Sequence, residues 1–388
     1  MSREIKQFAQ ALVTESGKNM YGVEEVLRLC LVAFFTGGHV LLEGNPGLGK
    51  TELVKTLGRV LKLPFGRIQF TPDLMPADIT GTFMPDFEDR QKLSFRPGPI
   101  FTALLLADEI NRATPKTQSA MLEAMAEGQV TVLGQRYRLQ RPFMVLATQN
   151  PIDHEGTYVL PEAQADRFMF KADMPIPERD TLLRILEKCA GVTATPSQVG
   201  FEKESASPFL PQDRADATAK FEDLMQRITQ VKPLLSLESH IINLFLATNG
   251  RFAELQGLDA KQVESLKVLV GEVIRYGLGP RAAVTLSLGS KAYSLLFLPQ
   301  AEFAEAPGLA RILLPALRHR IKLEFDWTDR FRRRFSMREE NDHTLLDKLL
   351  EMMVLAAAPK ANSYHESFAG VFRQALEQSR HARSEVIL

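Results

Sequence analysis

Short apolar runs alternate with stretches of helical periodicity along the first half of the chain. A run of strand type is a continuous apolar segment of roughly four to eight residues, whereas a helical stretch repeats apolar residues every three or four positions. The strand-type runs are "HVLLE" (39–43), "FTALLLADEI" (101–110) and "FMVLATQN" (143–150), and the helical stretches cover 24–38, 51–64 and 114–128. Wholly apolar strands that alternate with helices are typical of a parallel sheet covered on both faces. The pattern therefore predicts an α/β fold.

The character of the chain changes after residue 178. From there to about residue 326 the periodicity is helical, except in 191–218, which is rich in Thr, Ser, Pro and charge and predicts an insertion. Beyond Trp327 come a basic cluster, an amphipathic helix and a polar tail. We expect an α/β core over 1–178, a helical domain over 179–326 and a helical C-terminal extension over 327–388.

A glycine-rich loop follows the first predicted strand and precedes a predicted helix. Residues 44–51, "GNPGLGKT", fit the pattern G-x-x-x-x-G-K-[ST]. In that context, glycines let backbone N–H groups surround a phosphate, and the helix N-terminus adds partial positive charge. Lys50 would reach the β- and γ-phosphates, and the Thr51 hydroxyl would ligate Mg²⁺. The predicted nucleotide-binding residues here are Gly44, Asn45, Pro46, Gly47, Leu48, Gly49, Lys50, Thr51 and Glu52.

Polar residues end the two later strands. Asp108 and Glu109 end the apolar run "LLLADEIN", so Asp108 would lie beside the magnesium and Glu109 would polarise the attacking water as general base. A general base of this kind indicates hydrolysis rather than transfer to a substrate hydroxyl. Asn150 ends the neighbouring run and could hold the water near the γ-phosphate; the alternative is a simple Asn-Pro turn.

Charge and composition narrow the classes of function. The chain has 47 basic and 47 acidic residues, whereas a dedicated nucleic-acid binder usually carries a basic excess. One local cluster, Arg330, Arg332, Arg333 and Arg334, is the exception, and its alternative interpretation is a solvated helix face. The N-terminus does not resemble a signal peptide, and no apolar window is continuous enough to span a membrane. We expect a cytoplasmic protein without direct membrane insertion.

Five segments occur in the order seen in the MoxR family of AAA+ ATPases, which the chain resembles over roughly residues 20–325. They are the glycine loop, "ADEINRA", "ATQNP", "GTYVLPEAQADRF" and "GLGPRAA". The resemblance implies an AAA+ P-loop NTPase core with a helical lid, ATP or ADP and Mg²⁺ as ligands, and a ring, usually a hexamer, with ATP bound between neighbouring subunits.

The resemblance also assigns three residues outside the glycine loop. Asn150 matches sensor 1, Arg167 matches the arginine finger that reaches the next subunit's γ-phosphate, and Arg281 matches sensor 2, which couples the lid to nucleotide. An arginine supplied in trans stabilises charge on the transferring phosphoryl group and makes hydrolysis depend on assembly. The alternatives are a surface ion pair for Arg167, a polar helix end for Arg281, and Arg112 or Arg136 as the finger.

Further segments match the family's adenine pocket and its inserts. Tyr21, Gly22 and Val23 match the segment that packs on adenine, although a Gly turn before a helix would look the same. Segment 72–99 and the predicted hairpin Gln129–Leu139 match inserts at which such a ring meets its client. They could equally be structural.

The leading hypothesis is a ring that hydrolyses Mg-ATP to remodel or mature client proteins. The resemblance adds a partner with a von Willebrand factor A domain. Three rivals stay open: a metal-chelatase motor subunit, a nucleic-acid motor or transcription activator, and a scaffold that binds nucleotide but barely hydrolyses it.

Overall fold

In the computed structural model, the described part of the chain forms thirteen strands, most of them short. This structure describes residues 2–18, 20–45, 47–85, 93–149, 158, 160–190, 207, 209–299, 303–336 and 342–384. The strands are β1 (Val40–Glu43), β2 (Phe65–Gln69), β3 (Gly81–Pro85), β4 (Leu93–Pro97), β5 (Leu104–Asp108), β6 (Gln129–Val132), β7 (Gln135–Arg138), β8 (Met144–Gln149), β9 (Phe170–Asp173), β10 (Lys232–Pro233), β11 (Ile274–Tyr276), β12 (Phe303–Ala304) and β13 (Lys322–Leu323).

Helices account for most of the remaining described residues. They are α1 (Ser2–Gly17), α2 (Glu24–Phe35), α3 (Lys50–Val60), α4 (Pro76–Thr80), α5 (Pro115–Glu127), α6 (Glu162–Ala165), α7 (Arg179–Ala190), α8 (Arg214–Gln230), α9 (Leu235–Thr248), α10 (Ala260–Val273), α11 (Pro280–Phe297), α12 (Ala306–Leu317), α13 (Trp327–Phe335), α14 (Asp342–Ala357) and α15 (Tyr364–Ser384). In the part of the chain that the structure describes, none is long and apolar enough to cross a membrane.

A five-stranded parallel sheet forms the centre of the fold, in the order β2-β5-β8-β1-β9. Strand β5 shows why it is covered on both faces: Leu104 and Leu106 belong to one hydrophobic core, and Leu105 and Ala107 belong to the other. This alternation follows from the two-residue period of a strand. Helices α1 to α3 contribute to the first core and α5 to the second. The predicted α/β core with a parallel sheet between helices is confirmed.

Two antiparallel hairpins project from this core, and their aromatic side chains join them. One is β3–β4, preceded by α4, and the other is β6–β7. The rings of Phe95 and Tyr137 stack with centroids 3.9 Å apart, and Phe83 lies against both. The second hairpin matches the one predicted around Gly134.

The helical domain packs around α11 and α12. Gly308 on α12 lies so close to α11 that an added Cβ would be 2.3 Å from the Ser294 hydroxyl. The predicted insertion 191–218 falls largely outside the described residues, but its last five residues are not irregular. They begin α8, whose N-terminus is capped by Asp213 through its carboxylate and the Asp216 N–H.

Residues 364–376, within the predicted helical C-terminal extension, pack on this domain. Helix α15 buries Tyr364, Phe368 and Phe372, whose rings stack at successive turns. His240 of α9 joins α14 and α15: its ring bonds the Val354 carbonyl at 2.9 Å and the Tyr364 hydroxyl at 3.2 Å. The segment is polar overall, but one face of it is apolar at every fourth residue and is buried.

Candidate active site

The glycine loop takes a backbone shape that depends on its glycines. Gly44, Gly47 and Gly49 all have positive φ. Gly49, the residue just before α3, is in the left-handed conformation. A Cβ on Gly44 would lie 3.0 Å from the Met174 Cβ. Such a backbone lets consecutive N–H groups face a bound anion at a helix N-terminus. The loop therefore fits a phosphate chain.

Lys50 lies across this loop at the start of α3. Its ammonium donates a hydrogen bond to the Gly44 carbonyl at 2.5 Å. Burial lowers the pKa of Lys50, and the carboxylates of Asp108, Glu109 and Glu43 oppose that shift. The lysine and the acidic residues thus converge on one place, as a site for a polyanion and a divalent cation requires.

Asp108 and Glu109 lie at the carboxyl end of β5, beside the ends of β2 and β8. Asp108 pairs with Arg67 at 2.7 Å, and Glu109 pairs with Arg112 at 3.0 Å. Both arginine side chains are about half exposed, at 48% and 47%. Pairs this exposed are typically worth below about 1 kcal/mol. They leave both carboxylates free to exchange the arginines for a metal ion and water.

Thr148 on β8 links the two acidic residues. Its hydroxyl donates to Asp108 Oδ1 at 2.7 Å and accepts the Glu109 N–H at 2.8 Å. Glu109 has a left-handed backbone with φ of 56°, which is unfavourable for a residue with a side chain and is held in place by its neighbours. Gln69 on β2 also donates to the Glu109 carboxylate, at 2.8 Å. Thr148 and Gln69 thus set the direction of Glu109.

A cavity of about 630 Å³ lies beside the glycine loop, between the core and the helical domain. Tyr21, Gly22 and Val23 line it, as does Ala375 of α15. Its volume is that of a typical small-ligand pocket. Neither Lys50 nor Thr51 is part of its wall. The cavity is near the loop because Met174, the residue between the lining residues Asp173 and Pro175, packs close to Gly44. The arrangement suits a nucleoside in the cavity with its phosphates extending to the loop.

Arg318 connects the cavity to the C-terminal extension. The guanidinium forms two bonds with the Asp347 carboxylate, at 2.9 and 2.8 Å, and lies 3.3 Å from Asp173. The Arg318 and Asp347 side chains are only 5% and 2% exposed. Because Arg318 and Asp173 both line the cavity, the wall of the cavity depends on α14.

Replacing Asp347 by Ala is expected to lower the free energy of unfolding by about 3 kcal/mol, because it removes the buried carboxylate that accepts two bonds from the buried Arg318 guanidinium. Urea denaturation measures the change. The matched control is Asp326→Ala, which breaks the exposed pair with Arg330 and should change the free energy of unfolding far less, because solvent screens an exposed pair. Equal losses in the two variants would show that the buried pair contributes no more to the free energy of unfolding than the exposed pair.

Arg167 lies at a different edge of the core, where Arg281 of α11 contacts the preceding residue, Asp166. The Arg167 guanidinium donates to the Leu122 carbonyl of α5, and Arg281 lies 3.6 Å from the Asp166 carboxylate. The Met169 N–H donates to the carbonyl of His39, the residue before β1. The segment is therefore at the amino end of β1, whereas the glycine loop follows its carboxyl end.

Two of the predicted site residues cannot be located. Asn150 and Pro46 lie outside the described residues, and so does the middle of the insert 72–99. Gln149, the residue before Asn150, donates to the Glu43 carboxylate at 2.7 Å. The other predicted site residues fall into three groups: the glycine loop with the acidic pair, the cavity, and the Arg167 edge.

Four residues that the sequence analysis did not name contact one of these three groups. They are Gln69, Thr148, Arg318 and Arg320. Thr148 gave the clearest signal, since it is a polar residue inside the apolar run that ends at Asn150. For the arginines the only sign was the string "LRHRIKLEF".

Comparison with known proteins agrees with this geometry. A model of the ATPase family associated with various cellular activities (AAA) matches residues 39–170. The chain is 38% identical over 277 residues to the uncharacterized protein YeaC of Bacillus subtilis, covering 71% of this chain and 76% of that protein. It is 32% identical over 333 residues to the chaperone MoxR1 of Mycobacterium tuberculosis, covering 84% and 78%.

A solved structure extends the agreement to nearly the whole chain. The crystal structure of a Cytophaga hutchinsonii protein assigned as an ATPase superposes with a TM-score of 0.70 at 31% identity, covering 90% of this chain and 96% of that one. Together with the parallel sheet and the glycine loop, this defines the protein as an AAA+ ATPase. The chain belongs to the MoxR family.

Proposed function

We propose that this ATPase works as an oligomeric ring, usually of six subunits, that hydrolyses Mg-ATP to remodel or mature client proteins. The observation that supports a shared site is the position of Arg167. Its segment adjoins the amino end of β1, and a strand of four residues spans roughly 13 Å. Because β1 separates Arg167 from the glycine loop of its own subunit, Arg167 is better placed to contact the nucleotide of a neighbouring subunit.

Within one subunit, each group at the loop would have a separate task. Lys50 and the loop N–H groups bind the phosphates, and Thr51 and Asp108 would hold Mg²⁺, which neutralises charge on the phosphate oxygens. Glu109, oriented by Thr148 and Gln69, accepts a proton from the attacking water. Asn150 would orient that water.

The neighbouring subunit would complete the site with two arginines. Arg167 stabilises charge on the transferred phosphoryl group. Arg281 contacts the carboxylate of Asp166, the residue before Arg167, so we propose that it acts on the same nucleotide and links the lid of one subunit to the site of the next. Tyr21, Gly22 and Val23 would contact the adenine of their own subunit's ATP.

A partner with a von Willebrand factor A domain and a client protein complete the proposal. The β3–β4 and β6–β7 hairpins support it, because Met84, Leu93 and Leu133 expose 51%, 60% and 78% of their surface at the hairpins. Exposed apolar side chains of this kind are typical of protein-binding surfaces. We further propose that the protein works in the cytoplasm.

A crosslinked pull-down tests the partner directly. With Mg-ATP, the Glu109→Gln variant is expected to retain a von Willebrand factor A domain protein, because ATP stays bound. The control is Lys50→Ala, which loses a phosphate contact and should recover much less. Equal recovery by both variants, or recovery of a large chelatase subunit with the first, would contradict the proposal.

The nucleic-acid alternative has less support than the protein-directed one. In α13, Arg330 pairs with Asp326, and Arg332 pairs with Asp329 and Asp342. Because these arginines already have acidic partners within the chain, we expect no salt-dependent binding to DNA. Binding that Arg330→Ala abolishes would reverse this view.

A further inference from the structure

Arg320 is a buried arginine at the end of the helical domain, and it forms hydrogen bonds with the segment that carries Arg167. It follows α12, and its side chain is 3% exposed. Its guanidinium donates five hydrogen bonds. One goes to the Ala316 carbonyl in the preceding helix, α12, at 2.7 Å. The other four cross to the core.

These four bonds converge on the residues that flank Arg167. Nε donates to the Asp166 carboxylate at 3.0 Å, and Nη2 donates to the carbonyls of Asp166 and Phe168 at 3.3 and 2.7 Å. Nη1 donates to the Met169 carbonyl at 3.0 Å. The backbone is therefore fixed on both sides of Arg167 by one side chain.

Further contacts strengthen the connection between the helical domain and this segment. The adjacent His319 ring bonds the Phe168 carbonyl at 3.0 Å, and Arg281 lies at the second oxygen of Asp166. Asp166 thus receives two cations from the helical domain. Hydrogen bonds from a buried charged donor are stronger than those between neutral groups. We therefore expect the helical domain to hold residues 166–169 tightly.

We propose that Arg320 is a positioning residue for the arginine finger: it sets the direction of Arg167 toward the neighbouring subunit and lets the helical domain control that direction. This inference rests on the proposed shared site. Arg320 itself is buried and contacts no nucleotide-binding residue named above. A movement of α12 would shift the finger segment through these four bonds.

A lysine should not replace Arg320. The guanidinium spreads its donors over a planar fork, whereas an ammonium is a single point with three donors. Arg320→Lys keeps the charge but leaves part of the carbonyl set unbonded. A misplacement of about 1 Å near a reacting group can lower a rate about 10²-fold, so we expect kcat to fall about 10- to 100-fold with KM for ATP changed less than about threefold.

Mixing subunits separates a finger defect from a defect in the variant's own site. A Glu109→Gln subunit cannot hydrolyse its own ATP but carries an intact Arg167. Mixed with Arg320→Lys subunits, it would supply the finger they lack. We expect ATPase activity at least about threefold above the sum of the two variants measured alone, a gain that a merely structural defect would not give.

Two mixtures serve as controls. Arg318→Lys changes a buried arginine two positions away that bonds Asp347 instead of the finger segment. Any loss it causes lies in its own cavity, so mixing with Glu109→Gln should restore nothing. The second control is Arg167→Ala with Glu109→Gln, which should be restored if the finger acts in trans.

The outcomes distinguish this inference from the proposed function. Without restoration in the Arg167→Ala mixture, Arg167 is not a finger that acts in trans, and the role of Arg320 falls with it. If mixing restores Arg167→Ala but not Arg320→Lys, only the role of Arg320 is overturned. An Arg320→Lys protein with normal kcat would overturn it too. So would a mixture in which Arg318→Lys is restored as strongly as Arg320→Lys.

A second variant covers the case in which Arg320→Lys does not fold. Asp166→Asn removes the carboxylate from a side chain that is 28% exposed and leaves the backbone carbonyls in place. We expect a smaller fall in kcat, about threefold to tenfold, that mixing with Glu109→Gln restores. A folded Asp166→Asn protein with normal kcat would overturn the inference.

Discussion

The Glu109→Gln variant is expected to hydrolyse ATP at least about 10²-fold more slowly than the unchanged protein while binding ATP about as well. The amide keeps the size of the side chain and can still contact Gln69, but it cannot accept a proton from water. General-base catalysis typically contributes 10²- to 10⁴-fold to a rate. Because Lys50 and the glycine loop are untouched, binding of the phosphates should persist.

Steady-state phosphate release and equilibrium binding of ATP measure the two effects. Glu127→Gln is the matched control, since Glu127 is an exposed residue at the end of α5 that contacts Gln129; it should keep full activity. If Glu109→Gln hydrolyses ATP at a normal rate, another group is the base. A loss of binding together with hydrolysis would instead show a disrupted site.

Arg167→Ala should lower kcat about 10³-fold or more, the range that arginine fingers contribute in phosphoryl transfer. Binding of ATP to the isolated subunit should change little, because the guanidinium contacts Leu122 at another edge of the core. The loss should therefore be in turnover. The same assays measure it.

Arg136→Ala is the comparison for this second prediction. Arg136 is exposed on the β6–β7 hairpin, and we expect normal basal ATPase activity from its loss. If instead Arg136→Ala shows a turnover defect that Glu109→Gln subunits restore, and Arg167→Ala does not, the hairpin supplies the finger. Arg112 is less suitable as a control because it pairs with Glu109.

The core could be predicted from local pattern alone. The apolar run ending at Asp108 is long enough for a buried strand and too short for a helix, and the glycine loop fits one structural context. The same logic identifies the apolar face of α15, because Phe368 and Phe372 recur at helical spacing. The prediction of a polar tail within the helical extension left that apolar face out, because the segment is polar overall.

The contacts that orient the site could not be predicted in this way. Arg320 and Asp166 are 154 residues apart in the chain, and nothing local to either indicates the other. The sequence did not show whether Thr148 contacts the acidic pair, because that contact depends on β5 and β8 being neighbours in the sheet. The boundaries of the three predicted parts stay a prediction.

The solution mass of the Glu109→Gln variant, by light scattering with and without Mg-ATP, tests the shared site most directly. The variant should trap ATP, and each subunit would then offer a filled site to its neighbour. We expect a shift to about six times the 43.5 kDa of one chain on adding Mg-ATP, and no shift for Lys50→Ala. A Glu109→Gln protein that binds ATP and stays at the mass of one chain would contradict the account.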